Sequence, residues 1–134
     1  MEGSLNDLAK VRLLRAKEMI ESANNNLASG DVKTSLNRSY YAIFHGMRAV
    51  NIIEGFDSSK HSGVIAHFNQ YSIKTGKIDE KYSRIIKNAV YFREKSDYDD
   101  FYVASMDDAK KQLEDAKEFL NVVETIITSV NEEK

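Results

Sequence analysis

The chain has 134 residues, 42% hydrophobic and 30% charged, with a net charge of −2 and neither cysteine nor proline. That make-up suits one helical domain over residues 1–134 with a core large enough to need no cross-links, in a reducing cytoplasm; disulfides and thiolate metal sites are ruled out, and a general nucleic-acid coat is disfavoured. No apolar run nears the roughly 20 residues of a membrane span, and no leader-type apolar stretch opens the chain, so no membrane partner is expected.

Apolar residues recur at spacings of three and four throughout, which predicts helices and no strands. In the first helix Leu13, Ala16, Ile20, Ala23 and Leu27 form the stripe, and Ser29-Gly30 ends it. Asp31 is placed to cap a second helix running to about Ile53, with Val32, Leu36, Tyr40, Ile43, Met47 and Val50 facing the core. So short a connection folds these two helices into an antiparallel hairpin. Glu54 to Ser59 is a loop whose serines can cap a third helix from about Lys60 to Lys74. Thr75-Gly76-Lys77 closes that helix, and Asp79 can cap a fourth that ends near Glu94. Lys95 to Ala104 is expected to be irregular, with Tyr98, Phe101 and Tyr102 lidding one end of the core. Ser105 followed by Asp108 resembles a capping box, with aspartate in the usual Glu position. The last helix carries the clearest seam: Met106, Ala109, Leu113, Ala116, Leu120, Val123, Ile127 and Val130. The expected fold is all-α, a compact five-helix antiparallel, up-and-down bundle.

Charge is unevenly spread. Between Asp31 and Glu54 there is no acid, while Lys33, Arg38 and Arg48 are basic; from Glu94 to Glu118 nine acids face four lysines. An anion site belongs on the first segment, unless that helix is acid-free because it is central and buried. Arg38 and His45 lie two turns apart there, and at about 100° per residue they share a face with Tyr41 and Arg48. A permanent cation, an imidazole and a phenol together can handle a phosphate. Each also has a plainer use: Arg38 and His45 as a satisfied polar pair at a helix interface, Tyr41 as an interfacial ring, Arg48 as a snorkelling side chain. Asn37 and Lys33 are binding candidates of lower rank. Arg93 and Asp97 are spaced for a local ion pair that orders the following loop, or alternatively for supporting the cleft, beside Tyr98. His61 and His67 fall on different faces of the third helix, so no metal site is expected. His61, near a helix N-terminus, is expected to be neutral and locally bonded.

Arg38-Ser39-Tyr40-Tyr41-Ala42-Ile43-Phe44-His45, preceded by Ser35-Leu36-Asn37, resembles the signature helix of the HEPN family. Lys60-His61-Ser62-Gly63-Val64-Ile65-Ala66-His67-Phe68 resembles that family's third helix, and Arg93-Glu94-Lys95-Ser96-Asp97-Tyr98-Asp99 its Arg-x-x-x-Asp-Tyr element. The resemblance implies a helical bundle that forms a homodimer, with the signature helices at the dimer cleft. It also implies one of two activities. One is metal-independent RNA cleavage of toxin-antitoxin or defence type, with Arg38 and His45 as the catalytic pair and no cofactor. The other is a non-catalytic module that binds nucleotide or serves a small nucleotidyltransferase as its partner. A purely structural helical dimer is the third expectation. Ser39 stands where active members often carry Asn, Asp or His, and Met47 where some carry a modifiable tyrosine. A dimer would bring two His45 residues to one cleft, and Gly46 would let a second backbone come close.

Overall fold

The computed structural model describes residues 2–132, and side chains over 5–130. Among the described residues there are five α-helices: α1 (Glu2–Ala28), α2 (Val32–Ile53), α3 (His61–Phe68), α4 (Lys81–Tyr98) and α5 (Met106–Glu132). A π-helical turn, Asn69–Ile73, prolongs α3, and no strand occurs among the described residues. Asp31, Asp79 and Ser105 each accept from an N–H of the helix that follows, whereas α3 starts after Lys60 with no side-chain cap. The Asp31 carboxylate accepts from the Thr34 N–H at 3.2 Å, that of Asp79 from Lys81 at 2.8 Å, and Ser105 Oγ from Asp108 at 3.1 Å.

Cross-helix contacts give the topology. Ser35, early in α2, donates its hydroxyl to the Ala23 carbonyl late in α1 at 2.9 Å. Arg48, late in α2, shares the Asp57 carboxylate with Arg12, early in α1. The two helices are therefore antiparallel. Tyr82 at the start of α4 packs on Phe119 of α5, and Phe119 in turn faces Gly46 of α2. Arg93, near the end of α4, lies over Tyr40. Thus α4 also runs against α2. The short α3 closes one side, tied by Asn51 Nδ2 donating to the Val64 carbonyl at 3.1 Å.

Small residues set how closely these helices approach. Ala9, Ala16 and Ala23 recur every seven residues along α1, and all are fully buried. On α2, Ser35, Ser39, Ala42 and Ala49 are buried too, beside the large core residues Ile43, Met47 and Val50. Gly46 completes this surface. A methyl group there would stand 2.8 Å from Leu120 Cδ2 and 3.1 Å from Phe119 Cε2. Its role is close packing of α2 on α5 within the chain, not the admission of a second chain's backbone.

Two boundaries and one packing expectation differ from the sequence reading. The third helix does not run as α-helix to Lys74 but loosens into the π turn after Phe68. The fourth reaches Tyr98 rather than Glu94, because the pairs Arg93–Asp97 (3.5 Å) and Lys95–Asp99 (3.3 Å) carry the helix through the polar stretch. Nor do Tyr98 and Phe101 lid the core: they are 73% and 95% exposed, and Tyr102 alone of the three is half-buried. Tyr98 lies nine residues past the buried Ala89, which at about 100° per residue puts it on the opposite face.

Replacing Gly46 by valine should overpack the α2–α5 contact and cost about 1–3 kcal/mol in urea unfolding, more than the helix-propensity gain returns. A variant as stable as the parent would show that Leu120 and Phe119 repack freely.

Candidate functional site

Because α1, α3, α4 and α5 all pack on α2, its surface is almost wholly covered. The half-buried positions in its middle form one stripe: Asn37, Arg38, Tyr41, His45 and Arg48. The same stripe carries the residues that the spacing singled out. Lys33 stands apart, exposed on the first turn.

Arg38 donates from Nη1 to Asn37 Oδ1 at 2.6 Å, and no acid among the described residues pairs with it. Arg48 donates from Nη2 to Asp57 Oδ1 at 2.9 Å, and its guanidinium lies 6.0 Å from the centre of the Phe44 ring. Arg12 reaches the same carboxylate from α1, with Nη2 donating to Oδ2 at 3.1 Å. Clamped between two guanidinium groups, Asp57 has its pKa drawn down from 3.8 to about 2.

His45 is half-buried. Its Nδ1 is enclosed and has no hydrogen-bond partner among the described residues, so Nε2 is the nitrogen that faces outward. Burial lowers its pKa below 6.5, and the nearby guanidinium groups of Arg48, Arg15 and Arg12 oppose a further positive charge. At neutral pH the ring is uncharged and can accept a proton. Tyr41 lies beside it, with ring centres 6.2 Å apart.

On the other side of the stripe stand residues of α3 and α4. Arg93 bonds ionically with Asp97 at 3.5 Å and also covers the rings of Tyr40 at 5.0 Å and Tyr41 at 5.9 Å. The pair does not order a loop, since both residues lie inside α4; it aims a guanidinium at the aromatic wall. Tyr98 points to solvent instead. His61 bonds through Nδ1 to the Tyr40 hydroxyl at 2.7 Å and stacks on Phe44 at 4.3 Å. It is neutral and locally bonded, as its place at a helix start suggests.

The guanidinium groups of Arg12, Arg15 and Arg48 thus act on the uncharged His45 and that of Arg93 on the uncharged His61, and two carboxylates pair with three of these four. Among the described residues Arg15 and Arg38 have no acidic partner. Such a surface attracts anions and fits the geometry of phosphate oxygens. It is an open helix face rather than an enclosed pocket; the hollow at Asp79 to Lys87, for example, lies on α4 and shares no residue with it. Among the described residues no group of three or more His, Asp or Glu could hold a metal ion, and no helix is long and apolar enough to cross a membrane.

Sequence reading did not find Arg12, Arg15, Asp57 or Tyr40 as parts of this site. The hairpin register held the signal for Arg12, because an antiparallel pair that sets Ala23 against Ser35 must bring Arg12 near Arg48. Nothing local marked Asp57, which is a loop residue.

Comparison with known proteins supplies the wider setting. The model of the HEPN domain family matches residues 9–126. A UPF0332 protein of Thermotoga maritima is 31% identical over 113 residues, 84% of this chain and 86% of that one. A Methanocaldococcus jannaschii protein named "Putative toxin MJ0605" is 36% identical over 87 residues, 60% of this chain and 65% of its own length. In three dimensions the chain resembles the crystal structure of TT1696 from Thermus thermophilus, with a TM-score of 0.74 over 87% of this chain and 96% of that one. At 18% identity that likeness concerns the fold.

The Asp57 clamp yields a pH test. The folded pKa lies below the unfolded one, so the clamp stabilises fully above about pH 4 and loses its contribution as the pH falls toward about 2. The Asp57 carboxylate is nearly half exposed, so Asp57→Asn should cost no more than about 1 kcal/mol at pH 7. In urea melts that difference should shrink as the pH is lowered to about 3; an unchanging difference would mean that charge has no part in it.

Proposed function

The chain belongs to the HEPN domain family, and on that footing we propose that it binds RNA through the phosphate backbone on the exposed stripe of α2 and cleaves it without a metal. The observation that carries this reading is the guanidinium-rich stripe around His45, a neutral imidazole with an outward Nε2. Arg38, free of acids among the described residues, is the cation for the scissile phosphate. His45 is the base for the 2′-hydroxyl. Asn37, Tyr41 and Arg48 flank the strand, and Tyr41 offers a ring on which a base can stack.

The reaction needs one base and one acid. His45 Nε2 takes the 2′-hydroxyl proton as the 2′-oxygen bonds to phosphorus. The bond from phosphorus to the 5′-oxygen breaks, and that oxygen needs a proton. The products are a 2′,3′-cyclic phosphate and a 5′-hydroxyl. One imidazole cannot be base and acid in the same step, so the reading includes a homodimer whose two α2 stripes face each other. In that cleft one His45 enters neutral as the base, and the reaction runs through the minority form in which the second His45 carries the proton that the 5′-oxygen takes. The open form of the stripe supports this arrangement, since a second copy would turn a face into a cleft.

The other reading, a non-catalytic module that docks a small nucleotidyltransferase, is favoured by the apolar side chains at the end of α4 and just after it. Tyr98, Phe101 and Val103 stand in solvent there, as at a protein interface.

An EDTA-containing assay on mixed single-stranded and structured RNAs separates the two. Under the nuclease reading the parent leaves 2′,3′-cyclic phosphate ends, while Arg38→Ala and His45→Ala lose at least about a hundredfold in rate with little change in melting temperature. Because one His45 works as the neutral base and the other as the acid, kcat/KM should be bell-shaped, with the midpoint of its acid limb below pH 6.5. No cleavage by the parent at high concentration would transfer the case to the docking reading.

A further inference from the structure

We propose that His61 is a phosphate-contacting residue, whose Nε2–H donates a hydrogen bond to a phosphate oxygen of RNA lying on the α2 stripe, and that Tyr40 fixes which ring nitrogen carries the proton. This rests on the reading of the stripe as a phosphate site, and it adds a residue outside the Arg38–His45 pair.

The argument starts from Tyr40. Its side chain is 2% exposed, and His61 Nδ1, at 2.7 Å, is the acceptor that its hydroxyl has among the described residues. A buried O–H needs an acceptor. If Nδ1 carried the proton, it would donate to the phenolic oxygen, and the buried O–H would be left without an acceptor among the described residues. Arg93 lies over the ring of the same tyrosine, its guanidinium 5.0 Å from the ring centre, and offers the hydroxyl no acceptor. Tyr40 therefore donates to His61 Nδ1, and the imidazole proton is left on Nε2. Burial pushes the Tyr40 pKa up to about 12, which keeps its proton in place, and burial together with Arg93 lowers that of His61. The result is a neutral ring presenting one N–H.

Orientation and place are also defined. His61 stacks on Phe44 at 4.3 Å and meets Tyr41 edge-on at 5.7 Å, so its plane is held from two sides. Among the described residues Nε2 makes no hydrogen bond. Tyr41 touches both His61 and His45, so the ring borders the stripe from the α3 side as Arg12 and Arg15 border it from α1. The charged or titratable groups around it are Tyr40, Tyr41 and His45 of α2 and Arg93 of α4. No carboxylate among the described residues pairs with it to compete for the Nε2 proton. A donor of this kind helps a phosphodiester without adding a charge that His45 would feel.

The test uses the full chain and a 2′-O-methyl RNA oligonucleotide, which lacks the attacking hydroxyl and stays intact. In nitrogen-15 NMR of the parent, His61 should be in the Nε2–H tautomer, and its Nε2 resonance should move when the oligonucleotide is added. Glutamine can set an N–H near the Nε2 position and asparagine cannot. His61→Gln should therefore bind within about threefold of the parent, and His61→Asn about tenfold or more weaker. An Nδ1–H tautomer, an Nε2 signal indifferent to RNA, or two variants that bind alike would each overturn the proposal. Should the variants fail to fold, the parent's own spectra decide. Arg38→Ala is the control. If it abolishes binding while both His61 variants bind as the parent does, this inference fails and the phosphate site stands. A parent that does not bind the oligonucleotide removes both.

Discussion

The constraint on which the structure rests is how closely α2 is enclosed. Ser35, Ser39, Ala42, Gly46 and Ala49 keep its flanks narrow, and the heptad alanines of α1 meet it with flanks equally narrow. Close approach of backbones buries area with few flexible side chains to order, so a central helix is held by shape as much as by apolar mass. Once four neighbours are packed on it, a strip of its middle turns is left uncovered. Charged residues can survive there alone. The strip therefore has to hold Arg38, His45 and Arg48, since nowhere else on the middle of the helix could their charges or ring nitrogens reach water.

Enclosure also sets the electrostatics of that strip. Arginines from α1 and α4 come to rest around it, and low solvent exposure sharpens their effect on the imidazoles they surround. His45 is kept neutral by burial first and by guanidinium repulsion second. Asp57 relieves part of the crowding by joining Arg12 to Arg48, which also pins the α2–α3 loop to α1. The acids that balance the net charge lie elsewhere, concentrated from the end of α4 into α5. The guanidinium groups around the strip thus belong to a protein whose overall charge is slightly negative.

Much of the fold was legible in the sequence because the relevant signals are local. Caps at Asp31, Asp79 and Ser105 depend on one side chain and one nearby N–H, and each formed as read. The α5 seam depends on periodicity within one helix, and its six central members are buried. The end of α4 was misjudged because its polar residues look like a loop in composition, whereas their i,i+4 charges are helical in spacing. Gly46 was assigned to the wrong neighbour, since a glycine announces that something comes close without saying what.

By itself the sequence determined the helices, their hairpin order, and the shared face of Arg38, Tyr41, His45 and Arg48, because these follow from 3.6 residues per turn and the short loop between α1 and α2. Tertiary structure decided what surrounds that face: Arg12 and Arg15 from α1, Asp57 from a loop, the Tyr40–His61 bond, and Arg93 over two tyrosine rings. Those contacts join residues far apart in the chain, and spacing along one helix carries no information about the crossing angles that bring them together.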